Sequence, residues 1–163
     1  MIIKEIPFEF VVGLREILES HNMVIEPSKY KNGVEQPTAL HKHFAAYIND
    51  KIVGIGGMVR YTHVESKTIQ IYHRNAYTFP EYRNTGIRAK LMEHKVHYCH
   101  EYDWNIDDNT IHHAIILKGD NFYKKNNWRE HKSWDEETSN GNTITRSTYY
   151  LPWKDVKSIY VIK

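Results

Sequence analysis

Cysteine is almost missing from this sequence. Cys99 stands alone, so the chain can form no disulfide within itself and no zinc site built on cysteine ligands. A reducing compartment suits such a chain. Long apolar runs are missing as well: nowhere do roughly 20 consecutive apolar residues occur, the length needed to cross a bilayer. The first residues, Met1-Ile2-Ile3-Lys4-Glu5, lack the basic start and apolar stretch of a secretory leader. These absences lead to the expectation of a cytoplasmic protein with no membrane partner. An excess of one charge is lacking too. The 22 Lys and Arg against 20 Asp and Glu leave a formal charge of +2, which does not favour nucleic acid as a partner, since phosphate backbones are held by basic stripes. No internal repeat, low-complexity tract or linker-like stretch interrupts the 163 residues. That length supports one domain, over residues 1–163, and is short for two.

What is present is a globular balance, with 40% apolar and 26% charged residues. Aromatics at 13%, with 12 Tyr, suit a sheet-rich fold or an aromatic-lined cleft. Met1 to Ile6 reads as a short strand. Phe8 to Ser20 reads as a helix carrying Phe10, Leu14, Ile17 and Leu18 on one side. Asn22 to Gln36 reads as a loop. Phe44–Ile48 and Ile52–Val59 form a hairpin about Asn49-Asp50-Lys51, and glycines inside its second strand point to a bulge or a close backbone approach. After a turn over Val64–Lys67, Thr68–Phe79 is a long third strand. A helix from about Thr85 to Tyr102 follows, with Ile87, Leu91, Tyr98 and Tyr102 along one stripe and Met92, Val96 and Cys99 beside it. Ile111–Leu117 is a buried strand and Asp120–Asn126 a short helix. Trp128–Trp134 and Thr143–Leu151 are strands around Ser139-Asn140-Gly141, and Ser158–Ile162 is a terminal strand or docked tail. The fold class is therefore α/β of the α+β kind: a mixed, mostly antiparallel sheet flanked by helices.

The junction between the long strand and its helix carries the chemistry. Around Gly86, main-chain N–H groups at a helix start lack intrahelical partners. With the helix dipole they make an anion site suited to a pyrophosphate. Arg83 and Arg88 add positive charge, and the Thr85 hydroxyl adds a donor.

The run Tyr77-Thr78-Phe79-Pro80-Glu81-Tyr82-Arg83-Asn84-Thr85-Gly86-Ile87-Arg88 resembles the coenzyme A motif of the GNAT superfamily of N-acetyltransferases, a strand ending in Pro-Glu-Tyr, then Arg/Gln-x-x-Gly-x-Gly/Ala, then a helix. Arg83 and Gly86 match; Arg88 stands where the family carries a small residue. The later run Asp120-Asn121-Phe122-Tyr123-Lys124-Lys125-Asn126-Asn127-Trp128 is similar to the family's second segment, with Asn127 in place of the usual glycine, an exchange that a left-handed helix end tolerates. The resemblance covers roughly Phe44 to Trp134. It implies an acyl donor, acetyl-CoA or another acyl-CoA, whose pantetheine arm lies along the backbone of Tyr77, Thr78 and Phe79 like an added strand. The pyrophosphate would sit over Arg83, Asn84, Thr85, Gly86, Ile87 and Arg88. It further implies direct transfer to a primary amine on a small-molecule or macromolecular acceptor. Tyr123 would be the general acid, and the base would come from the central strand, where His73 is the candidate, with Tyr72 beside it. Simple alternation would put His73, Asn75 and Tyr77 on one face, opposite Tyr72 and Arg74. Glu65 and His63 are weaker options for the base. Two other readings are a transferase that modifies nucleic acid and a binding module of GNAT shape without catalysis. Oligomeric state is open, a dimer being compatible with the sequence.

Other clusters read as structural. His94, His97 and His100 drift around their helix and form a slanted solvated row, so no metal site is expected. His112 and His113 point to opposite faces of a strand. His41 and His43, separated by one residue, precede a strand; an approach to a cleft is the alternative, and the structural reading is preferred. Cys99 lies on the apolar side of its helix as a small core residue.

Overall fold

The computed structural model describes residues 1–20, 30–31, 34–35, 40–63, 66–104, 107–137 and 141–160. Most of the expected loop from Asn22 to Gln36 lies outside these, as do Glu65, Ser139 and Asn140 and the end of the expected terminal segment. The elements run β1 (Ile2–Ile6), α1 (Phe8–Gly13), α2 (Arg15–Ser20), β2 (Tyr30–Lys31), β3 (Val34–Glu35), β4 (Leu40–Ile48), β5 (Lys51–Thr62) and β6 (Ile69–Thr78). A 3-10 turn at Pro80–Tyr82 leads to α3 (Ile87–Glu101), β7 (Ile111–Leu117), α4 (Phe122–Lys125), β8 (Arg129–Glu137), β9 (Thr143–Pro152) and α5 (Trp153–Ile159). Seven strands make one sheet in the order β1-β4-β5-β6-β7-β9-β8, and β2 pairs with β3. Every neighbour pair in the large sheet is antiparallel except β6–β7.

Local chemistry sets these turns. Asn49 and Asp50 both adopt positive φ (49° and 63°), and Ile48 pairs with Lys51 across them. This is the two-residue loop whose twist matches that of its flanking strands. A parallel neighbour cannot be reached by a tight turn, so β6 connects to β7 through α3.

Two apolar clusters hold the layers. On one face, α3 buries Ile87, Leu91, Met92, Val96 and Cys99 against Phe44, Met58, Ile71 and Ala114, and α5 adds Trp153 and Val156. Each of the larger apolar chains so buried contributes roughly 1.5–3 kcal/mol. On the other face, Val11 and Leu18 pack on Ile6, Ala45, Ile55 and Tyr77. The first helix differs from its expected form. It breaks at Leu14 into two short helices, so a single straight stripe is lost. Val11 and Leu18 face inward, while Phe10 and Ile17 are 39% and 40% exposed. Of the expected terminal strand or docked tail over Ser158–Ile162, Ser158 and Ile159 close α5, which starts after Pro152 and pins Trp153 over the sheet, its N–H donating to Thr110 O at 2.7 Å.

Glycine lets α3 approach β5. A Cβ at Gly54 would stand 2.8 Å from Ile87 Cγ2 and 3.2 Å from the Tyr77 carbonyl oxygen. Gly54→Val should therefore cost about 2 kcal/mol by overpacking, read as a lower urea midpoint. Gly13→Ala, where a Cβ meets nothing within 4 Å, should leave the midpoint unchanged or raised. Equal midpoints for wild type and Gly54→Val would contradict the contact.

Candidate functional site

The site begins with one extra residue. Between Ile55↔Tyr77 and Gly57↔Arg74, β5 advances two residues while β6 advances three. Asn75 absorbs the surplus with φ of 55°, a bulge that bends the strand and interrupts its ladder. Strict alternation therefore fails here. His73 points toward α3, edge-on to Trp128 at 5.8 Å. Asn75 lies on the opposite side, its Nδ2 3.4 Å from His43 Nε2, and Tyr77 packs there with the α1–α2 cluster. The three residues do not share a face, because the bulge resets the period between the first and the second.

Beyond the bulge the sheet opens. Pairing of β6 with β7 ends at His73↔Ala114, although β6 continues to Thr78 and β7 to Leu117. From Ile115 onward β7 keeps only β9 as neighbour. Between the diverging strands lies a cleft of about 990 Å³, walled by Arg74–Thr78 on one side and Ile115–Leu117 on the other. Among the described residues no strand pairs with β6 on that side beyond His73, which makes this stretch a template for an extended ligand.

The loop between β6 and α3 closes one end of the cleft. Phe79 N–H donates to Val53 O at 3.0 Å, and Tyr82 N–H to Phe79 O at 2.9 Å. Asn84 and Gly86 then both take left-handed φ, 63° and 82°, and a Cβ on Gly86 would meet nothing within 4 Å. The helix thus starts at Ile87, two residues later than the sequence pattern suggests. No side chain caps it, and its first intrahelical bond is Lys90 N–H to Gly86 O. The N–H groups preceding Lys90 are left for an anion. Arg83 Nε donates to Thr78 O at 3.1 Å, and the Thr85 hydroxyl donates to Tyr82 O. The Arg88 side chain turns away from the loop. It pairs with Asp120 at 2.6 Å and lies 4.4 Å from the Phe122 ring centroid. Asp120 also accepts the Phe122 N–H at 3.0 Å, so Arg88 ties α3 to the start of α4.

That tie presents Tyr123 to the cleft. Its side chain is 2% exposed, packed edge-on to Trp128 at 4.9 Å, and burial holds its hydroxyl protonated well above the usual tyrosine range. His73 also lines the cleft. Its Nε2 is 2.9 Å from His112 Nδ1, and its Nδ1 has no hydrogen-bond partner among the described residues. Burial first, then the nearby Lys95 and His112, keep His73 neutral far below the ordinary histidine range. His112 is pushed down to about 3 and His43 to about 4, both mainly by burial. His63 is engaged in its own turn, with Ser66 Oγ 3.1 Å from its Nδ1, and Tyr72 stacks on His113 at 4.5 Å; neither lines the cleft.

Sequence reasoning missed three features. Lys95 is buried on α3 with Nζ 3.2 Å from Gly57 O; its signal is a lysine four residues after Leu91 on the apolar stripe. The Asn75 bulge was hinted at only by an asparagine inside a strand. The cleft also continues to the β8–β9 hairpin, where Glu136 Oε2 accepts from Trp134 Nε1 at 3.2 Å and Arg146 Nε at 2.9 Å. The histidine row on α3 packs piecemeal, His94 against Phe44 at 5.0 Å and His100 over Trp153 at 6.5 Å. Among the described residues no three His, Cys, Asp or Glu side chains are placed to hold a metal ion. The Cys99 thiol is buried, directed at Met58 Sδ at 3.5 Å and pushed up to about 12. No helix among the described residues is long and apolar enough to cross a membrane.

Comparison with known proteins agrees with this geometry. The family model described as an acetyltransferase (GNAT) domain matches residues 39–130. No curated protein sequence matches the chain. Among solved structures, a ribosomal-protein-alanine N-acetyltransferase from Brucella melitensis superposes with a TM-score of 0.63 at 11% identity, covering 93% of this chain and 99% of that one. A GNAT-family acetyltransferase from Streptococcus pneumoniae gives 0.65 at 12% identity, covering 93% and 98%. YncA from Salmonella typhimurium, solved with its cofactor acetyl-CoA, gives 0.63 at 10% identity, covering 94% of each. At such identities the likeness is one of fold.

The buried histidines carry a pH signature. Folded His43 and His112 titrate near 4 and 3, below the unfolded value near 6.5, so the unfolded chain takes up protons first as pH falls. Their contribution to stability is complete above about pH 6.5 and is lost toward pH 4 and then 3, by up to about 1.4 kcal/mol per group per pH unit. Urea unfolding at pH 7 and 4.5 should show a smaller acid loss for His43→Gln than for wild type. Identical losses would contradict a buried neutral His43.

Proposed function

Because this chain belongs to the GNAT acetyltransferase family, we propose that it transfers an acetyl or related acyl group from coenzyme A directly to a primary amine. The observation that carries this reading is the parting of β6 from β7 just past His73, next to a left-handed loop that leaves helix amides open. A pantetheine arm fits along Tyr77, Thr78 and Phe79 on the side of β6 turned away from β5, which borders the cleft. A pyrophosphate fits the amides of Asn84, Thr85, Gly86, Ile87 and Arg88, with the Arg83 guanidinium beside them. Open space at Gly86 supports that fit. So does the direction of the Arg88 side chain, whose bulk lies on Asp120 and Phe122 rather than over the loop. YncA, of similar fold, is solved with acetyl-CoA.

The bound donor supplies an acyl group already activated as a thioester. The chain does the rest. His73, held neutral by burial and orientated by His112, offers a free Nδ1 to take a proton from the acceptor ammonium. Tyr123, held protonated by burial, gives its hydroxyl proton to the departing sulfur. The acceptor enters from the hairpin side, where the Glu136 carboxylate, steadied by Trp134 and Arg146, attracts an ammonium. Residues 1–163 act as one domain, in the cytoplasm, on a small-molecule or macromolecular amine.

Calorimetric titration with acetyl-CoA tests the reading. Wild type should bind, and Gly86→Trp, which strains a left-handed position and fills the loop, should not. Absence of binding by wild type would defeat the proposal. With an amine that supports turnover, Tyr123→Phe should lower kcat by about 10²-fold or more while the acetyl-CoA Kd stays near normal. Undiminished turnover would remove Tyr123 from its role.

A further inference from the structure

Helix α3 places one ionisable side chain where it meets the sheet. Ile87, Leu91 and Lys95 recur every four residues, so all three face β5. Lys95 is 1% exposed. Its amine lies against two glycines of β5, Gly56, which stands opposite the surplus of β6, and Gly57 beside it. Nζ is 3.2 Å from Gly57 O, and a Cβ at Gly56 would stand 3.5 Å from the same nitrogen.

Among the described residues the groups acting on it are basic or thiol, not acidic: Arg88 and Cys99 on its own helix, His43 on β4, and His73 and His112 on β6 and β7. Arg74 on β6 and His113 on β7 act in turn on those histidines. The side chain that β5 adds here, Met58, is apolar. An amine buried without a carboxylate is costly, and the neighbouring positions of the stripe show what the core alone would prefer. What Lys95 supplies in return is a donor at a carbonyl lying where the β5–β6 register shifts. Bulges leave ladder groups unmatched, and a buried unmatched carbonyl is itself unfavourable.

We propose that Lys95 is a positioning residue, whose bond to the Gly57 carbonyl holds the bulge so that the main chain of Asn75–Thr78 turns into the cleft and receives the acyl donor. The inference rests on the acyltransferase reading above. Lys95 does not line the cleft, so it acts through the bulge and not on the substrate.

Its charge gives a signature that packing alone would not. Burial, then Arg88, push Lys95 down to about 7 from the ordinary 10.5. Between those values the unfolded chain keeps a proton that the folded chain has shed. Stability therefore rises with pH from about 7 toward 10.5, and this contribution is flat below 7. The carbonyl bond follows the opposite course, because a charged donor bonds more strongly than a neutral amine. Affinity for acetyl-CoA should weaken as stability increases.

Acetyl-CoA titrations at pH 6.5 and 8.5, paired with thermal melts, decide the matter. For wild type, Kd should rise several-fold between the two pH values while the share of stability due to Lys95 grows. Lys95→Met should melt at the same or a higher temperature at pH 6.5, bind acetyl-CoA about tenfold more weakly there, and lose the extra pH dependence. Lys95→Gln, which keeps a donor without a titrating charge, should bind more tightly than Lys95→Met and show a flatter profile than wild type. A Lys95→Met variant that binds like wild type at both pH values overturns the inference. If that variant fails to fold, a wild-type Kd that does not change between pH 6.5 and 8.5 overturns it as well. Failure of wild type to bind acetyl-CoA at all would instead overturn the acyltransferase reading.

Discussion

One surplus residue in β6 governs the rest of the molecule. A sheet that stayed in register from β5 through β7 would be a closed surface with every ladder group matched. By inserting Asn75 in a left-handed conformation, the chain bends β6 and ends its pairing with β7 at His73. The cleft, the run of β6 main chain that borders it and the divided orientation of His73 and Tyr77 all follow from that step. The distortion is accommodated by glycine on the neighbouring strand. A Cβ at Gly57 would run into the His43 ring at 2.5 Å, so the residue beside the bulge, paired with Arg74, must be small for His43 to reach Asn75.

The layer between the sheet and α3 is unusual in its electrostatics. Lys95, His73 and His112 are all buried there, and each is driven toward its neutral form, first by loss of water and then by its neighbours. His73 and Tyr123, which both line the cleft, are thus uncharged, the one without an added proton and the other keeping its own. The same desolvation makes the layer sensitive to acid. These protonation states and the pH limits thus come from one cause, the exclusion of water beneath the point where the strands part.

The outline of the fold was legible in the sequence because its signals are local. Asn49-Asp50 marks its own turn, the glycines of β5 mark the close approach of α3, and the Pro80–Gly86 run marks a strand-to-helix junction. Features that depend on a distant partner were not legible. The pairing of Arg88 joins residues 32 apart in the chain, so its hold on the start of α4 leaves no local mark in the sequence. Nor does composition reveal a one-residue bulge, since the period of two that organises strand reading carries no mark where it slips. The break at Leu14 turned two predicted core residues outward for the same reason: a periodic pattern was extended across a point where the backbone resets. Lys95 was hidden by its own chemistry, as lysine on a helix is ordinarily solvated.

The central claim is that the cleft side of β6 and the left-handed loop receive the acyl donor. Hydrogen–deuterium exchange with and without saturating acetyl-CoA tests it most directly, because it reads main-chain amides one segment at a time. The account predicts slowed exchange over Asn75–Phe79 and Asn84–Arg88, with β1 unaffected. Saturable binding that leaves both segments exchanging as in the free protein would contradict it.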